Sequence, residues 1–126
     1  MKSNIGLWID HKKAVIVTLT GKAEITRRML SHMEKHVRFS GGAMLISAED
    51  QRDRRFAGHL AKYYDRVIAR IRGAGAILLL GPGEAKRELK SRLVDHSLGA
   101  LVSALVTVDK MSDRQVAARV RKHFLS

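Results

Sequence analysis

A continuous apolar run at residues 76–80, AILLL, lies between Gly75 and Gly81. A run without polar alternation leaves no face for water, so it predicts a β-strand that is covered on both faces, inside a mostly parallel sheet. The run at residues 102–108, VSALVTV, predicts a second buried strand. A helical pattern follows each run, which indicates an α/β domain whose later strands are joined by crossovers.

The first third of the chain has a different pattern. Residues 5–9 (IGLWI) and 14–19 (AVIVTL) are β-rich and are separated by the polar group DHKK, and residues 24–30 follow the turn residues TGK. Three such runs in succession predict an antiparallel meander. The whole chain is therefore predicted to form a mixed five-stranded sheet, a meander followed by parallel crossover strands, with three helices in a ribonuclease H-like arrangement.

Three segments have helical periodicity. The longest starts near Asp50, and its apolar residues recur at intervals of three and four: Phe56, Leu60, Tyr63, Tyr64, Val67, Ile68 and Ile71. A second helix is predicted after the turn at residues 81–83, with Leu89 and Leu93 on one side. Ser112 and Gln115 predict a capping box that opens the last helix.

Composition limits the function classes. The chain has 126 residues, one proline and no cysteine, so it is predicted to be one domain over residues 1–126, without disulfides or thiolate zinc sites. Its amino-terminal apolar run is too short for a membrane span, and we expect a cytoplasmic protein that needs neither membrane nor cofactor nor resident metal. The net charge of +12 favours nucleic acid as the partner, whereas the alternative is a merely solvated basic surface.

The long predicted helix carries a second stripe, which is basic. Its residues recur at the same helical spacing as the apolar ones but on another face: Arg55, His59, Lys62, Arg66 and Arg70. The helix is thus predicted to pack inward with one face and to offer a basic ridge to RNA with the other. For each residue alone, a solvated surface charge is an equally good interpretation.

Two stretches, GLWIDHKKAVIV and LLLGPGEAKREL, together with the order of elements, resemble the middle domain of the eukaryotic and archaeal peptide-chain release factors and of Pelota. The first is similar to the opening hairpin of that family. The second is similar to its strand, Gly-Pro-Gly turn and lysine-containing helix. The resemblance covers nearly the whole chain, and it implies a translation-associated protein whose partners are the ribosome, ribosomal RNA or tRNA. The oligomeric state stays open.

The stretch KHVRFSGGAM, residues 35–44, occupies the place of the release-factor Gly-Gly-Gln loop, which helps water to cleave peptidyl-tRNA. Gly41 and Gly42 match the glycines, but Ala43 stands where the glutamine would be, and Phe39 is one of two extra residues. The resemblance makes Gly41, Gly42 and Ala43 candidate catalytic residues. Because Ala43 keeps only its backbone N–H as a donor, we expect binding with at most weak peptidyl-tRNA hydrolysis.

The same loop contains residues that are suited to contact with RNA. Lys35, His36 and Arg38 are suited to phosphates, and Phe39 is suited to stacking on a base. Glycines at 41 and 42 allow backbone to approach a ligand closely. The alternative is an ordinary connection between two elements.

Two further groups of residues are candidates for binding a phosphate or a metal ion. Gly81 and Gly83 follow a strand and precede a helix with Lys86, a geometry that can bind phosphate, although a tight turn also explains the glycines. Asp10 and Asp109 each follow a predicted strand. Carboxylates at strand ends could hold divalent metal in a metal-dependent ribonuclease, which is the competing enzymatic function.

Overall fold

The structure is a computed structural model that describes residues 2–32 and 46–125, with side chains from residue 56 onward in the second range. The elements are β1 (Ser3–Ile9), β2 (Lys13–Thr20), β3 (Ala23–Leu30), α1 (Ile46–Ile71), β4 (Ala74–Gly81), α2 (Ala85–Asp95), a short 3₁₀ turn (Gly99–Leu101), β5 (Val102–Thr107) and α3 (Asp113–Leu125).

The strands form one sheet in the order β3-β2-β1-β4-β5. β1, β2 and β3 pair antiparallel, whereas β4 is parallel to both β1 and β5. Within the described ranges the chain is thus a single small α/β domain with a mixed five-stranded sheet and three helices. This confirms the meander and the crossover strands that the sequence predicts.

Both faces of the sheet are covered, because successive strand residues point to opposite sides. Leu7 and Ile9 join the core under α1 and α2, whereas Trp8 joins the core under α3. In β4, Ile77 and Leu79 face the first core, while Leu78 and Leu80 face the second. This division explains the uninterrupted apolar run at residues 76–80.

The helices follow the predicted patterns. Tyr63, Val67 and Ile71 of α1 are fully buried, at the spacing of three to four residues that places them on one face. At the start of α3, Gln115 N–H donates to Ser112 Oγ (3.2 Å) and Ser112 N–H donates to Gln115 Oε1 (2.8 Å). These two bonds confirm the predicted capping box.

Close packing fixes α3 on the sheet. A Cβ at Gly6 of β1 would lie 2.3 Å from Val120 Cγ2, so glycine is required where this helix crosses the strand. Among the described helices, none is both long and apolar enough to cross a membrane.

Candidate nucleic-acid interface

The outer face of α1 carries three exposed cations, Lys62, Arg66 and Arg70, which we call the basic stripe. They are four residues apart, so consecutive members are separated by about 6 Å along the helix axis. His59, one turn earlier, is half-buried. Arg55 also lies in α1, in the portion described by its backbone alone. The predicted basic ridge is therefore a continuous feature of α1 from Lys62 to Arg70.

Arg66 connects this stripe to the end of β3. Its Nη2 donates to the Leu30 carbonyl oxygen at 3.4 Å, and its guanidinium carbon lies 5.9 Å from the centre of the Tyr63 ring. In the sequence, residues 33–45 follow the described residues Ser31 and His32. The predicted loop residues Lys35, His36, Arg38, Phe39, Gly41, Gly42 and Ala43 all lie outside the described residues.

Several acidic side chains are paired with cations outside the stripe. Among the side chains that the structure describes, no carboxylate forms an ion pair with Lys62, Arg66 or Arg70. In the described part of the chain, the ion pairs between arginines and carboxylates are Asp65–Arg92, Glu24–Arg121, Asp113–Arg28 and Glu84–Arg87. These contacts engage the carboxylates on other surfaces, so among the described side chains the charges of Lys62, Arg66 and Arg70 are not neutralised by an ion pair.

A groove runs beside the stripe, between the edge strand β3 and α1, and we call it the β3–α1 groove. Its volume is about 320 Å³, and it is lined by Ile16, Thr18, Arg27, Arg28, Met29 and Arg70. Arg27 is absent from the sequence predictions. Alternation along β3 places it on the same face as Met29, but only the pairing register shows that this face is the one under α1.

The Gly-Pro-Gly turn is tightly packed on one side and open on the other. A Cβ at Gly81 would lie 2.4 Å from the carbonyl oxygen of Ile9, whereas a Cβ at Gly83 would meet no atom within 4 Å. Lys86 is fully buried, and its Nζ donates to the Gly83 carbonyl oxygen at 2.7 Å. Burial, and secondarily the nearby Arg87, lowers the pKa of the Lys86 ammonium. The structure brings Gly81, Gly83 and Lys86 together, with the amine inside the domain.

Asp10 shapes the β1–β2 turn. Its Oδ1 accepts hydrogen bonds from the backbone N–H groups of Lys12 and Lys13, both at 2.8 Å. After the end of β5, the backbone oxygen of Asp109 accepts a 3.1 Å hydrogen bond from Trp8 Nε1. Asp109 itself is exposed. Among the described residues there is no group of three or more His, Asp or Glu that could hold a metal ion.

A polar network joins three elements near the same turn. Tyr64 of α1 donates to Glu88 Oε1 of α2 at 2.5 Å, and His11 Nε2 lies 2.9 Å from the same oxygen. Although burial raises the pKa of Glu88, the bonds from Tyr64 and His11 hold it below its usual value. The His11 ring also meets Phe56 edge-on, with centroids 5.9 Å apart. Nothing in the sequence spacing signals this contact, because its members are far apart along the chain.

The fold is similar to that of solved structures of Pelota and of a translation termination factor. No protein-family model matches the chain, and no curated protein matches it in sequence. Among solved structures, Pelota from Thermoplasma acidophilum is similar with a TM-score of 0.63 and 13% identity over 96% of this chain. Pelota from Archaeoglobus fulgidus is similar with a TM-score of 0.60 and 13% identity over 98%. An archaeal translation termination factor, aRF1, is similar with a TM-score of 0.56 and 15% identity over 95%.

These likenesses confirm the predicted release-factor and Pelota middle-domain fold. The matches cover 32% of each Pelota chain and 34% of the termination factor, so this chain spans about a third of their length. Identities of 13 to 15% carry information about the fold alone.

Proposed function

We propose that this chain is a translation-associated protein that binds the ribosome or tRNA by contact with RNA. The observation that carries the proposal is the basic stripe, whose three cations have no carboxylate partner among the described side chains. The likeness in fold to Pelota and to a translation termination factor supports the choice of ribosomal RNA or tRNA as the polyanion.

The stripe is suited to contacts with phosphates. Arginine offers a planar fork of N–H donors that matches phosphate oxygens, and contacts to phosphates position a protein without reading sequence. Affinity is therefore expected to fall steeply with salt, because bound cations release counterions from the RNA. A ligand recognised by shape, such as folded ribosomal RNA or tRNA, fits this kind of surface.

The segment that follows β3 extends the proposed interface. In the proposal, Lys35 and Arg38, which follow β3 in the sequence, supply further phosphate contacts. Ala43 has no side-chain group with which to position water, so the proposed activity is binding, with at most feeble ester hydrolysis. The RNA itself is left intact.

A crosslinking map of cellular RNA tests this proposal. The protein is crosslinked in cells, the bound RNA is sequenced, and each RNA class is normalised to its abundance. We expect enrichment of ribosomal RNA or tRNA, and a loss of this enrichment in Lys35→Ala with Arg38→Ala at unchanged thermal stability. Recovery of all RNA classes in proportion to their abundance would refute a role in translation. Unchanged enrichment in the double variant would exclude the loop from the interface.

A further inference from the structure

We infer that the β3–α1 groove is a binding site for a phosphate of an RNA backbone, held between Arg27 and Arg70. The inference rests on the proposed function, since it assigns a defined subsite to that RNA. It adds a residue of the edge strand, Arg27, to an interface that sequence periodicity limits to the helix.

The register of β3 places Arg27 on the correct side. Arg27 lies directly opposite Ile16 of β2, and Ile16 is buried in the core under α1. Met29, two residues further along β3, packs against the same core. Arg27 therefore projects to the face that α1 covers, although β3 is an edge strand whose residues are otherwise mostly exposed.

Arg70 reaches the same space from the helix. It lies one turn after Arg66, which binds the Leu30 carbonyl oxygen and so keeps this part of α1 beside β3. Two arginines from two different elements, Arg27 and Arg70, thus line one groove. Each can offer two parallel N–H donors to an anion, which is the geometry that phosphate oxygens accept best.

Charge distinguishes this groove from the one on the opposite face of β3. The second groove, about 500 Å³ in volume, lies against α3 and contains the carboxylates Glu24 and Asp113. Glu24 binds Arg121 at 2.7 Å, and Asp113 binds Arg28 at 3.1 Å. Among the described residues that line the β3–α1 groove there is no carboxylate. Arg28 borders it, but the Arg28 guanidinium is already paired with Asp113, so Arg27 and Arg70 supply the uncompensated charge.

The remaining lining favours one bound phosphate. Ile16 and Met29 give the groove an apolar wall, and a cleft of single charge sign with a low-dielectric wall concentrates the field. The Thr18 hydroxyl adds a hydrogen-bonding group. The volume of about 320 Å³ is at the lower end of the range for small-ligand sites, which suits a phosphate with its adjoining sugar.

Binding of a short RNA duplex, measured by fluorescence anisotropy over a series of salt concentrations, tests the site. Arg27→Gln with Arg70→Gln is expected to weaken binding about tenfold and to lower the salt slope by about one, as the loss of one phosphate contact requires. The matched control is Arg114→Gln with Arg119→Gln on α3, which removes the same charge from the opposite face and is expected to retain more of the wild-type affinity and slope. Equal losses in the two double variants, or no duplex binding by the wild type, would overturn the site.

Cosedimentation with ribosomes separates this inference from the proposed function. If duplex binding depends on Arg27 and Arg70 but the wild type does not sediment with ribosomes, the phosphate site stands and the role in translation fails. If the wild type and the Arg27→Gln, Arg70→Gln variant sediment equally and bind the duplex equally, the site fails and the role in translation stands. Circular dichroism of each variant confirms that folding is unchanged.

Discussion

Arg92 of α2 donates to both carboxylate oxygens of Asp65 on α1, at 2.8 Å to Oδ1 and 2.9 Å to Oδ2. His96 Nε2 lies 3.6 Å from the same carboxylate. Asp65 is next in sequence to Arg66, yet its charge is engaged on the α2 side of the helix. This contact therefore fastens α1 to α2 and engages the Asp65 carboxylate away from the basic stripe.

A double-mutant cycle with Asp65→Ala and Arg92→Ala measures this ion pair. Since the side chains are 45% and 33% exposed, we expect a coupling energy of only about 0.5–1 kcal/mol, in spite of the two-oxygen geometry. Urea unfolding of the four proteins gives the value. Strict additivity of the two single losses would show that the contact does not join the helices.

The Gly-Pro-Gly turn provides a matched pair of substitutions. Gly81→Ala forces a Cβ against the Ile9 carbonyl oxygen, which is backbone and cannot rotate away, so we expect a loss of about 2 kcal/mol or more in the free energy of unfolding. Gly83→Ala enters open space and is expected to change stability by about 0.5 kcal/mol or less. Urea midpoints of the two variants test the difference, and equal midpoints would contradict the packing role of Gly81.

Lys86 gives the domain a pH dependence at alkaline pH. The pKa of Lys86 in the folded state lies below its ordinary value of 10.5. At a pH between the folded-state pKa and 10.5, the unfolded chain therefore holds a proton on Lys86 that the folded chain has released. The wild type is therefore expected to gain stability relative to Lys86→Met as pH rises from 7 toward 10.5. Urea unfolding of both proteins at several pH values checks this, with Lys90→Met as the control for the loss of one exposed charge on α2. A constant difference between wild type and Lys86→Met would contradict it.

Tyr64→Phe removes one of the two bonds that lower the pKa of Glu88. Because the Glu88 side chain is 43% exposed and water can replace the hydroxyl, we expect a loss of about 1 kcal/mol at pH 7. Because the pKa of Glu88 is lowered in the folded state, its carboxylate stabilises the fold at pH values above the ordinary pKa of 4.5. This stabilisation is lost as the pH falls through the folded-state pKa of Glu88. The loss should thus shrink in acid. Unfolding experiments at pH 7 and pH 3 compare the two proteins, and an equal loss at both would rule out this linkage.

The sequence predicts those elements that a local pattern of residues determines. The apolar run at residues 76–80 predicts the central strand because only a strand covered on both faces can bury it. Ser112 and Gln115 predict the start of α3 because their side chains satisfy each other's backbone N–H groups. The stripe from Lys62 to Arg70 follows from helical geometry alone.

The rest depends on contacts between distant parts of the chain. Arg27 joins the candidate interface through the pairing of β3 with β2 and through the position of α1 above them, which no local pattern contains. Lys86 has the sequence setting of a phosphate-binding turn, but the packing of α2 on the sheet buries its amine. The bonds of His11 and Tyr64 to Glu88 bring together three elements whose spacing along the chain has no period.

Cosedimentation with purified ribosomes tests the central claim most directly. The stripe variant Arg66→Glu with Arg70→Glu is compared with Arg114→Glu and Arg119→Glu, which make the same change of charge at two exposed positions of α3. We predict that the wild type sediments with ribosomes at low salt and is released as salt rises, that the stripe variant loses most of this binding, and that the α3 variant retains most of it. Equal binding by the two variants, or no binding by the wild type at low salt, would contradict the account.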